Sequence, residues 1–365
     1  MDAFYASVEL LRYPELRGLP VVIGGRRAPQ PEPSATGLGR FARLRDYAGR
    51  GVITTCTYEA RALGVSSGLG LMKAAQLAPE AVLLPADFEA YRYYSAKFKA
   101  AVAEIAPQIE NRGIDEIYID LTDLPEDSHT LGRRLQEAVL HATGLSCSIG
   151  ITPNKLLSKI CSDLEKPNGL TILEMEDVLA RIWPLPVKKI NGIGPKATEK
   201  LAGLGIVTIA ELADADVALL QHHFGGTYAA WLHDAAHGVD DRPVVTHSEP
   251  KSISRETTFE RDLHPRLDRE ALSEIFTQLC TRVAGDLQRQ GYSSRTIGIK
   301  LRFEDFRTVT RDLSLPTPTA DPTVIRRAAG SCLRRVELNQ RLRLLGVRAS
   351  TLQPNDTVGQ ADLPL

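Results

Sequence analysis

Polar and apolar positions alternate most cleanly over residues 296–303. Ile297, Ile299, Leu301 and Phe303 fall on one side and Thr296, Lys300 and Arg302 on the other, which predicts a strand with one core face and one wet, basic face. A shorter alternation over residues 117–121 sets Ile117, Ile119 and Leu121 against Tyr118 and Asp120, the spacing of a half-buried strand. Helices are expected at 88–105 and 131–143, and strands at 21–23, 52–54 and 146–150, an order that suits an α+β fold. Residues 24–51 break the pattern with Pro29, Pro31 and Pro33 at alternate positions and Gly24, Gly25, Gly37, Gly39, Gly49 and Gly51 around them, and read as one long loop. Its arginines, Arg26, Arg27, Arg40, Arg43, Arg45 and Arg50, are candidates for contact with a polyanion or a partner, against the plainer reading of a solvated loop. Residues 186–238 read as short helices, with Thr208 and Glu211 in a capping-box pattern and Gly205 suited to a helix stop. The polar stretch 240–250, with Pro243 and Pro250, reads as a linker, and Asn355 onward as a flexible tail.

Composition adds domain count and charge. The 365 residues, 43% of them hydrophobic, suggest two or more domains, each with its own core. Cys56, Cys147, Cys161, Cys280 and Cys332 are scattered without a close pair, which argues against a zinc site or a disulfide framework and for a reducing cytoplasm. No apolar run approaches the about 20 residues of a membrane helix, and no basic or apolar leader opens the chain. The net charge of -1 conceals an asymmetry, because residues 250–352 carry 19 Lys and Arg against 12 Asp and Glu. A basic carboxy-terminal module on an acidic remainder suggests a polyanion grip joined to something that holds cations.

The candidate chemistry starts with Asp115 and Glu116, adjacent carboxylates at the entrance of the 117–121 strand. Two divalent ions about 4 Å apart can clamp a phosphoryl transfer, but several carboxylates from separate strands are needed to hold them, and this pair alone does not suffice. Asp2 reads as a helix N-cap ahead of Phe4 and Val8, with direct metal binding the alternative. Tyr58 and Arg61, three apart, share a helical face and can meet one anion. Gly192, Ile193, Gly194 and Pro195, followed by Lys196 and Lys200, have the form of a helix-hairpin-helix: glycines admit a phosphate to the backbone, and Pro195 starts a helix whose free N–H groups favour an anion. Arg255, Arg295, Lys300, Arg302, Arg307 and Arg311 are candidates for phosphate contacts in the basic module.

Five ordered blocks, MDAFYASVE (1–9), TTCTYEARALGV (54–65), GIDEIYIDLTD (113–123), SIGITPNKLLSKICSDLEKPNG (148–169) and INGIGPKATEKL (190–201), resemble the successive motifs of Y-family translesion DNA polymerases over nearly the whole chain. The resemblance implies a multidomain right-hand polymerase: a ferredoxin-like palm at 1–18 and 87–176, small fingers at 19–86, a helical thumb with the helix-hairpin-helix at 177–240, a linker at 241–249, an α/β little finger at 250–352 and a tail at 353–365. It implies templated addition of deoxynucleoside triphosphates to a primer with two Mg2+ ions, error-prone and without proofreading, by a monomer in the cytoplasm. Asp115 and Glu116 then become catalytic metal ligands, joined by the main-chain carbonyl of Met1. Tyr5 becomes a steric gate against the 2′-hydroxyl, where the plain reading is a helix aromatic in the core. Thr55, Tyr58, Arg61 and Lys166 become nucleotide contacts, and Gly192, Gly194 and Lys196 hold duplex backbone. The terminal residues 360–365 resemble a bacterial sliding-clamp-binding peptide through Gln360, Leu363 and Leu365. One departure stands out: the family's first motif runs strand, Asp, apolar residue, Asp, aromatic, and Met1 and Asp2 match its second and third residues. The first catalytic Asp and its strand are absent, so Met1 is expected to be an internal methionine taken for the start, with an apolar strand ending in Asp encoded upstream. Two further readings stay open, a polymerase-like accessory protein that binds DNA and clamp without catalysis, and a helix-hairpin-helix DNA-binding protein with a structural acidic strand.

Overall fold

In the computed structural model, which describes residues 1–25, 31 and 41–355, two units separate at Met1–His247 and from Ser248 onward. The first unit opens on α1 (Phe4–Arg12) and a four-stranded sheet of β1 (Val21–Gly24), β2 (Ala42–Arg43), β3 (Ile53–Cys56) and β4 (Val82–Leu84), in the order β2-β4-β1-β3. All four residues of β1 are buried, as a central strand covered on both faces requires. Helices α2 (Tyr58–Ala62) and α3 (Leu71–Leu77) connect β3 to β4. The expected loop over 24–51 is therefore wrong at its end, where β2 pairs antiparallel with β4. Arg43 donates to Glu80 O at 2.7 Å and Arg45 forms an ion pair with the Glu80 carboxylate, so these two guanidinium groups have partners within the fold. A strand of two half-buried residues is too short to leave an alternation in the sequence. Arg26, Arg27 and Arg40 lie outside the described residues.

The next layer contains α4 (Phe88–Ala103), β5 (Ile109–Asn111), β6 (Ile117–Ile119), α5 (Ser128–Thr143), β7 (Ile149–Ile151), α6 (Lys155–Cys161) and β8 (Leu170–Ile172). Its strands form two pairs, antiparallel β5–β6 and parallel β7–β8, that share no sheet among the described residues. Between the pairs lies an open cavity of about 770 Å³ whose walls include Met1, Phe98, Ile117, Ile119, Leu135 and Ile149. Helices α4 and α5 pack beneath it through Phe98, Val102, Leu135 and Val139. The three isoleucines stay half-buried because one side of each faces this space rather than a neighbouring strand.

Helices α7 (Pro195–Ala202), α8 (Ile209–Ala213), α9 (Val217–Phe224) and α10 (Gly226–Ala236) enclose a core that includes Leu201, Ile209, Leu212, Leu220 and Leu232. Thr208 and Glu211 make the expected reciprocal cap on α8, and Gly205 takes φ +79° after α7. The stretch expected to be a linker is fastened down at its start. Asp240 accepts from Leu156 N, a free N–H in the first turn of α6, at 2.9 Å, and Lys155 Nζ donates to Pro243 O and to Glu110, both at 2.7 Å. Val245 N completes the attachment by donating to Glu110 at 2.9 Å.

The second unit runs β9 (Ser252–Leu263), α11 (Arg269–Arg289), β10 (Tyr292–Phe303), β11 (Thr308–Thr319), α12 (Pro322–Leu333) and β12 (Leu342–Pro354). Its strands form an antiparallel sheet in the order β11-β10-β12-β9. Both helices cover one face, where Phe276, Val283 and Ile325 meet the predicted core row Ile297, Ile299, Leu301 and Phe303. No described helix is long and apolar enough to cross a membrane.

Candidate active site and nucleic-acid surfaces

Asp115 and Glu116 sit on the β5–β6 hairpin, whose turn is closed by Arg112 N and Gly113 N donating to Glu116 O at 3.1 Å. The Met1 ammonium donates to Asp115 O at 2.9 Å, which brings the chain's first residue against the pair. Lys159 on α6 reaches Glu116 Oε1 at 2.5 Å and Asp163 Oδ2 at 3.3 Å, and Lys166 reaches the other Asp163 oxygen at 2.5 Å. Burial opposes the Lys159 charge, but its bond to Glu116 and the nearby Asp163 carboxylate outweigh that and raise its pKa. Burial likewise disfavours the Asp163 carboxylate, yet the two lysines draw its pKa below the usual range.

Tyr5, half-buried on α1, stacks on Tyr91 with ring centroids 4.3 Å apart and meets Phe88 edge-on. Burial and the Asp115 charge raise its phenol pKa. Tyr91 in turn donates to the buried Glu9 carboxylate at 2.6 Å. On α2 the Arg61 guanidinium lies 4.8 Å from the centre of the Tyr58 ring, so the predicted shared face exists. The Tyr58 hydroxyl is buried and finds no hydrogen-bond partner among the described residues. Burial first, then the Asp2 charge, pushes its pKa up to about 12. Thr55 lies nearby on β3, 8% exposed.

Asp2 corrects its sequence reading. Ala3, in the left-handed region, occupies the N-cap position of α1 and no side chain caps it; the Asp2 carboxylate points away to Ser146, Ser148 and the Asn168 backbone. The competing partners were out of view because they lie more than 140 residues downstream.

The magnesium expectation meets a partial donor set. Among the described residues no three His, Cys, Asp or Glu side chains cluster to hold a metal ion. Asp115 and Glu116 alone still fit magnesium, which keeps several waters and takes one or two carboxylates plus substrate phosphates.

The glycines of the 192–194 hairpin differ from each other. Gly192 adopts φ +117° under the Trp231 ring, while Gly194 caps α7 in ordinary extended backbone with open space around it. Lys196 is exposed in the first turn of α7. In the second unit, residues directly opposite across strands share a face, and this divides the arginine candidates. Lys300 and Arg302 lie on the face without helices, where Lys300 pairs with Glu256 at 2.8 Å and Arg302 Nε donates to Thr308 Oγ1 at 3.1 Å. Arg348, which sequence reasoning missed, joins them opposite Gly298 and pairs with Asp312 at 2.9 Å. Arg255 lies opposite Val347 on the helix side and grips the Asp286 carboxylate of α11 with two hydrogen bonds. Arg311, opposite Ile299, is on the helix side too. Arg295 is exposed at the β10 irregularity and donates to Leu315 O at 3.2 Å, and Arg307 lies 4.4 Å over the Phe303 ring beside the β10–β11 turn. Gln360, Leu363 and Leu365 fall outside the described residues.

Compared with known proteins, the chain matches the impB/mucB/samB family over residues 1–163, that family's C-terminal domain over 250–363 and the IMS family HHH motif over 176–206. It is 38% identical over 355 residues to the DNA polymerase IV of Methanoculleus marisnigri, a match covering 97% of this chain and 93% of that one. The DNA polymerase IV of Alkalilimnicola ehrlichii is 38% identical over 357 residues, 96% and 93% of the two chains. The DNA polymerase IV 2 of Mycobacterium tuberculosis is 37% identical over 349 residues, 95% of each. Among solved structures, a Y-family DNA polymerase chimera of Dbh and Dpo4 superposes with a TM-score of 0.80 at 24% identity, covering 97% of this chain and 98% of that one. DinB from Sulfolobus solfataricus gives 0.63 at 24% identity, with 96% of each chain covered. At that identity the structures establish the shared fold.

Proposed function

The chain belongs to the Y-family DNA polymerases, and we propose that it adds deoxynucleotides to a primer at a site formed by Asp115, Glu116, Tyr5, Tyr58 and Lys166. The observation that carries this reading is the buried Tyr58 hydroxyl, without a partner among the described residues, with Arg61 on its ring. A buried hydroxyl without a partner is costly, and a triphosphate oxygen would satisfy it. Arg61 supplies a fork of donors to the same anion, and Lys166, which pairs with Asp163, a compact positive charge. Thr55 adds a hydroxyl from the neighbouring strand. The Tyr5 ring, braced on Tyr91, closes the space a 2′-hydroxyl would need and so selects deoxyribose.

Asp115 and Glu116, with the main-chain carbonyl of Met1, would supply part of the ligand set for two magnesium ions. Such ions neutralise charge on the transferred phosphoryl group and favour the 3′-hydroxyl as an anion. Lys159 keeps the Glu116 carboxylate turned into the cleft. The hairpin at Gly192 and Gly194 with Lys196 grips duplex backbone without reading sequence. Lys300 and Arg302, with Arg295, Arg307 and Arg348, offer further phosphate contacts. Their pairs with Glu256 and Asp312 are exposed and individually weak, so phosphates can displace them. The activity is error-prone translesion synthesis by a monomer in the cytoplasm, recruited to the sliding clamp through Gln360, Leu363 and Leu365.

The test is primer extension with magnesium by a chain supplied with an apolar strand and an Asp ahead of Met1. Asp115→Asn and Glu116→Gln should each lower extension by about a thousandfold, since a lost ion ligand acts chiefly on the transition state, while DNA affinity stays near the parent's. Extension within about tenfold of the parent in either variant would remove these carboxylates from the mechanism.

A further inference from the structure

Asp2 is only 2% exposed, and no step above uses its carboxylate. Oδ2 accepts from Ser146 Oγ at 2.9 Å and from Asn168 N at 2.8 Å, and Oδ1 accepts from Ser148 Oγ at 2.7 Å. Ser148 Oγ accepts in turn from Gly169 N at 3.1 Å. From α5, the Gln136 amide donates to Asn168 O at 3.3 Å and Gly169 O at 3.0 Å. All of these bonds converge on the turn that follows Lys166.

That turn needs holding. Asn168 sits at φ +57°, a left-handed conformation that L residues occupy at a cost, and Gly169 is pressed so close to Glu165 that a Cβ would lie 2.4 Å from its carbonyl oxygen. A carboxylate suits this position because it only accepts, and three donors point at it. Serine hydroxyls can rotate to another acceptor, but the Asn168 amide cannot, so it depends on Asp2 for its partner.

We propose that Asp2 is a positioning residue for the incoming nucleotide, which fixes the turn at Asn168 and thereby sets Lys166 at the triphosphate. This rests on the assignment of Lys166 to the triphosphate made above. Asp2 touches neither substrate nor reacting atoms; it acts through the backbone from Asn168 to Lys166. The consequence is specific to nucleotide affinity, because a turn that samples other conformations binds in proportion to the fraction correctly formed.

The experiment measures the Kd of a deoxynucleoside triphosphate, with magnesium, for the full chain bound to a primer–template ending in a dideoxynucleotide, so that no turnover is needed. Lys166→Ala should weaken nucleotide binding about tenfold, and Asp2→Asn should do so by a similar factor, with primer–template affinity unchanged. In the double variant the Asp2→Asn effect should shrink to within about twofold, because its route through Lys166 is gone. Ser148→Ala, which cuts only the link between Asp2 and Gly169 N, provides a milder variant should Asp2→Asn fail to fold, and should weaken nucleotide binding in the same direction. Nucleotide affinity within about twofold of the parent in Asp2→Asn, beside a lowered melting temperature, would overturn the proposal, as would a full-sized Asp2→Asn effect on the Lys166→Ala background. If Lys166→Ala itself leaves nucleotide binding unchanged, the triphosphate assignment falls and this inference with it.

Discussion

Gly192 and Gly194 carry the same assignment in the sequence, yet alanine at the two positions should have opposite effects. At Gly192, φ is +117° and a Cβ would lie 2.6 Å from Cη2 and 2.9 Å from Cζ2 of Trp231. That indole is stacked on Tyr228 with centroids 5.2 Å apart, and the Tyr228 hydroxyl donates to Gly192 O at 2.9 Å, so the ring has little freedom to retreat. Gly192→Ala therefore combines a strained backbone with an overpacked aromatic, each worth about 1–3 kcal/mol. The melting temperature should fall by roughly 5–15 °C in a unit of this size. At Gly194, φ is -81° and ψ 176°, and no atom lies within 4 Å of an added Cβ. Gly194→Ala loses only a better N-cap residue, at most about 1 kcal/mol. If Gly194 is glycine so that a phosphate can approach the start of α7, its methyl group should weaken binding of a primer–template duplex about fivefold at fixed salt while the fold stays intact. Thermal unfolding and fluorescence anisotropy on the full chain read both effects. Parental DNA affinity in Gly194→Ala would refute the phosphate argument, and a parental melting temperature in Gly192→Ala would refute the packing argument.

Tyr5→Ala, in the chain supplied with the strand and Asp, should admit ribonucleotides while deoxynucleotide incorporation survives. Its cost in stability should fall below the about 3–5 kcal/mol of a fully buried aromatic, because the ring is half exposed; unchanged sugar discrimination with a lowered melting temperature would assign the ring to packing. Arg255→Ala should destabilise the second unit by about 1–3 kcal/mol without changing DNA affinity, whereas Lys300→Ala and Arg302→Ala should weaken binding and flatten its salt dependence by about one phosphate contact each. The hydrogen bond from Arg255 lowers the Asp286 pKa against the effect of burial. Its contribution is therefore present above the unfolded carboxylate range and lost as pH falls through the folded value, so the stability gap between parent and Arg255→Ala should narrow between pH 7 and about pH 3 in denaturant titrations. A gap that widens on acidification would contradict the pairing. Removing residues 360–365 should leave extension of short primers unchanged and abolish stimulation by a loaded clamp; equal stimulation would show that docking uses another surface.

How much of this was legible in the sequence depended on the distance over which each interaction acts. The β10 alternation was plain over 296–303, where the strand has a dry face and a wet face beyond the irregularity at Ser294 and Arg295. The same periodicity also places Arg255, two residues from Ile253 and four from Phe259, on the dry side. Counting basic residues concealed that parity. Arg311 shares its side with Val309 and Leu313, both packed on the core, so a strand-by-strand reading would have separated it from Lys300 and Arg302 as well. The β6 alternation was legible but overstated, since Ile117 and Ile119 border a cavity and are half-buried like Tyr118 between them. The attachment of 240–245 was not legible, because nothing local marks Glu110 and Lys155 as its partners.

The charges around Glu116 show why site residues were harder to assign than strands. The Lys159–Asp163 and Asp163–Lys166 spacings, four and three apart, were available from sequence. The contact that gives these pairs meaning is long-range, from Lys159 back to Glu116. Two carboxylates and two lysines drawn this close would repel if each sign were grouped. The order Glu116, Lys159, Asp163, Lys166 alternates instead, and every neighbour in it meets the opposite sign within 3.3 Å. Each charge is thus compensated by a neighbour of the opposite sign, which offsets the partial burial of Lys159 and Asp163.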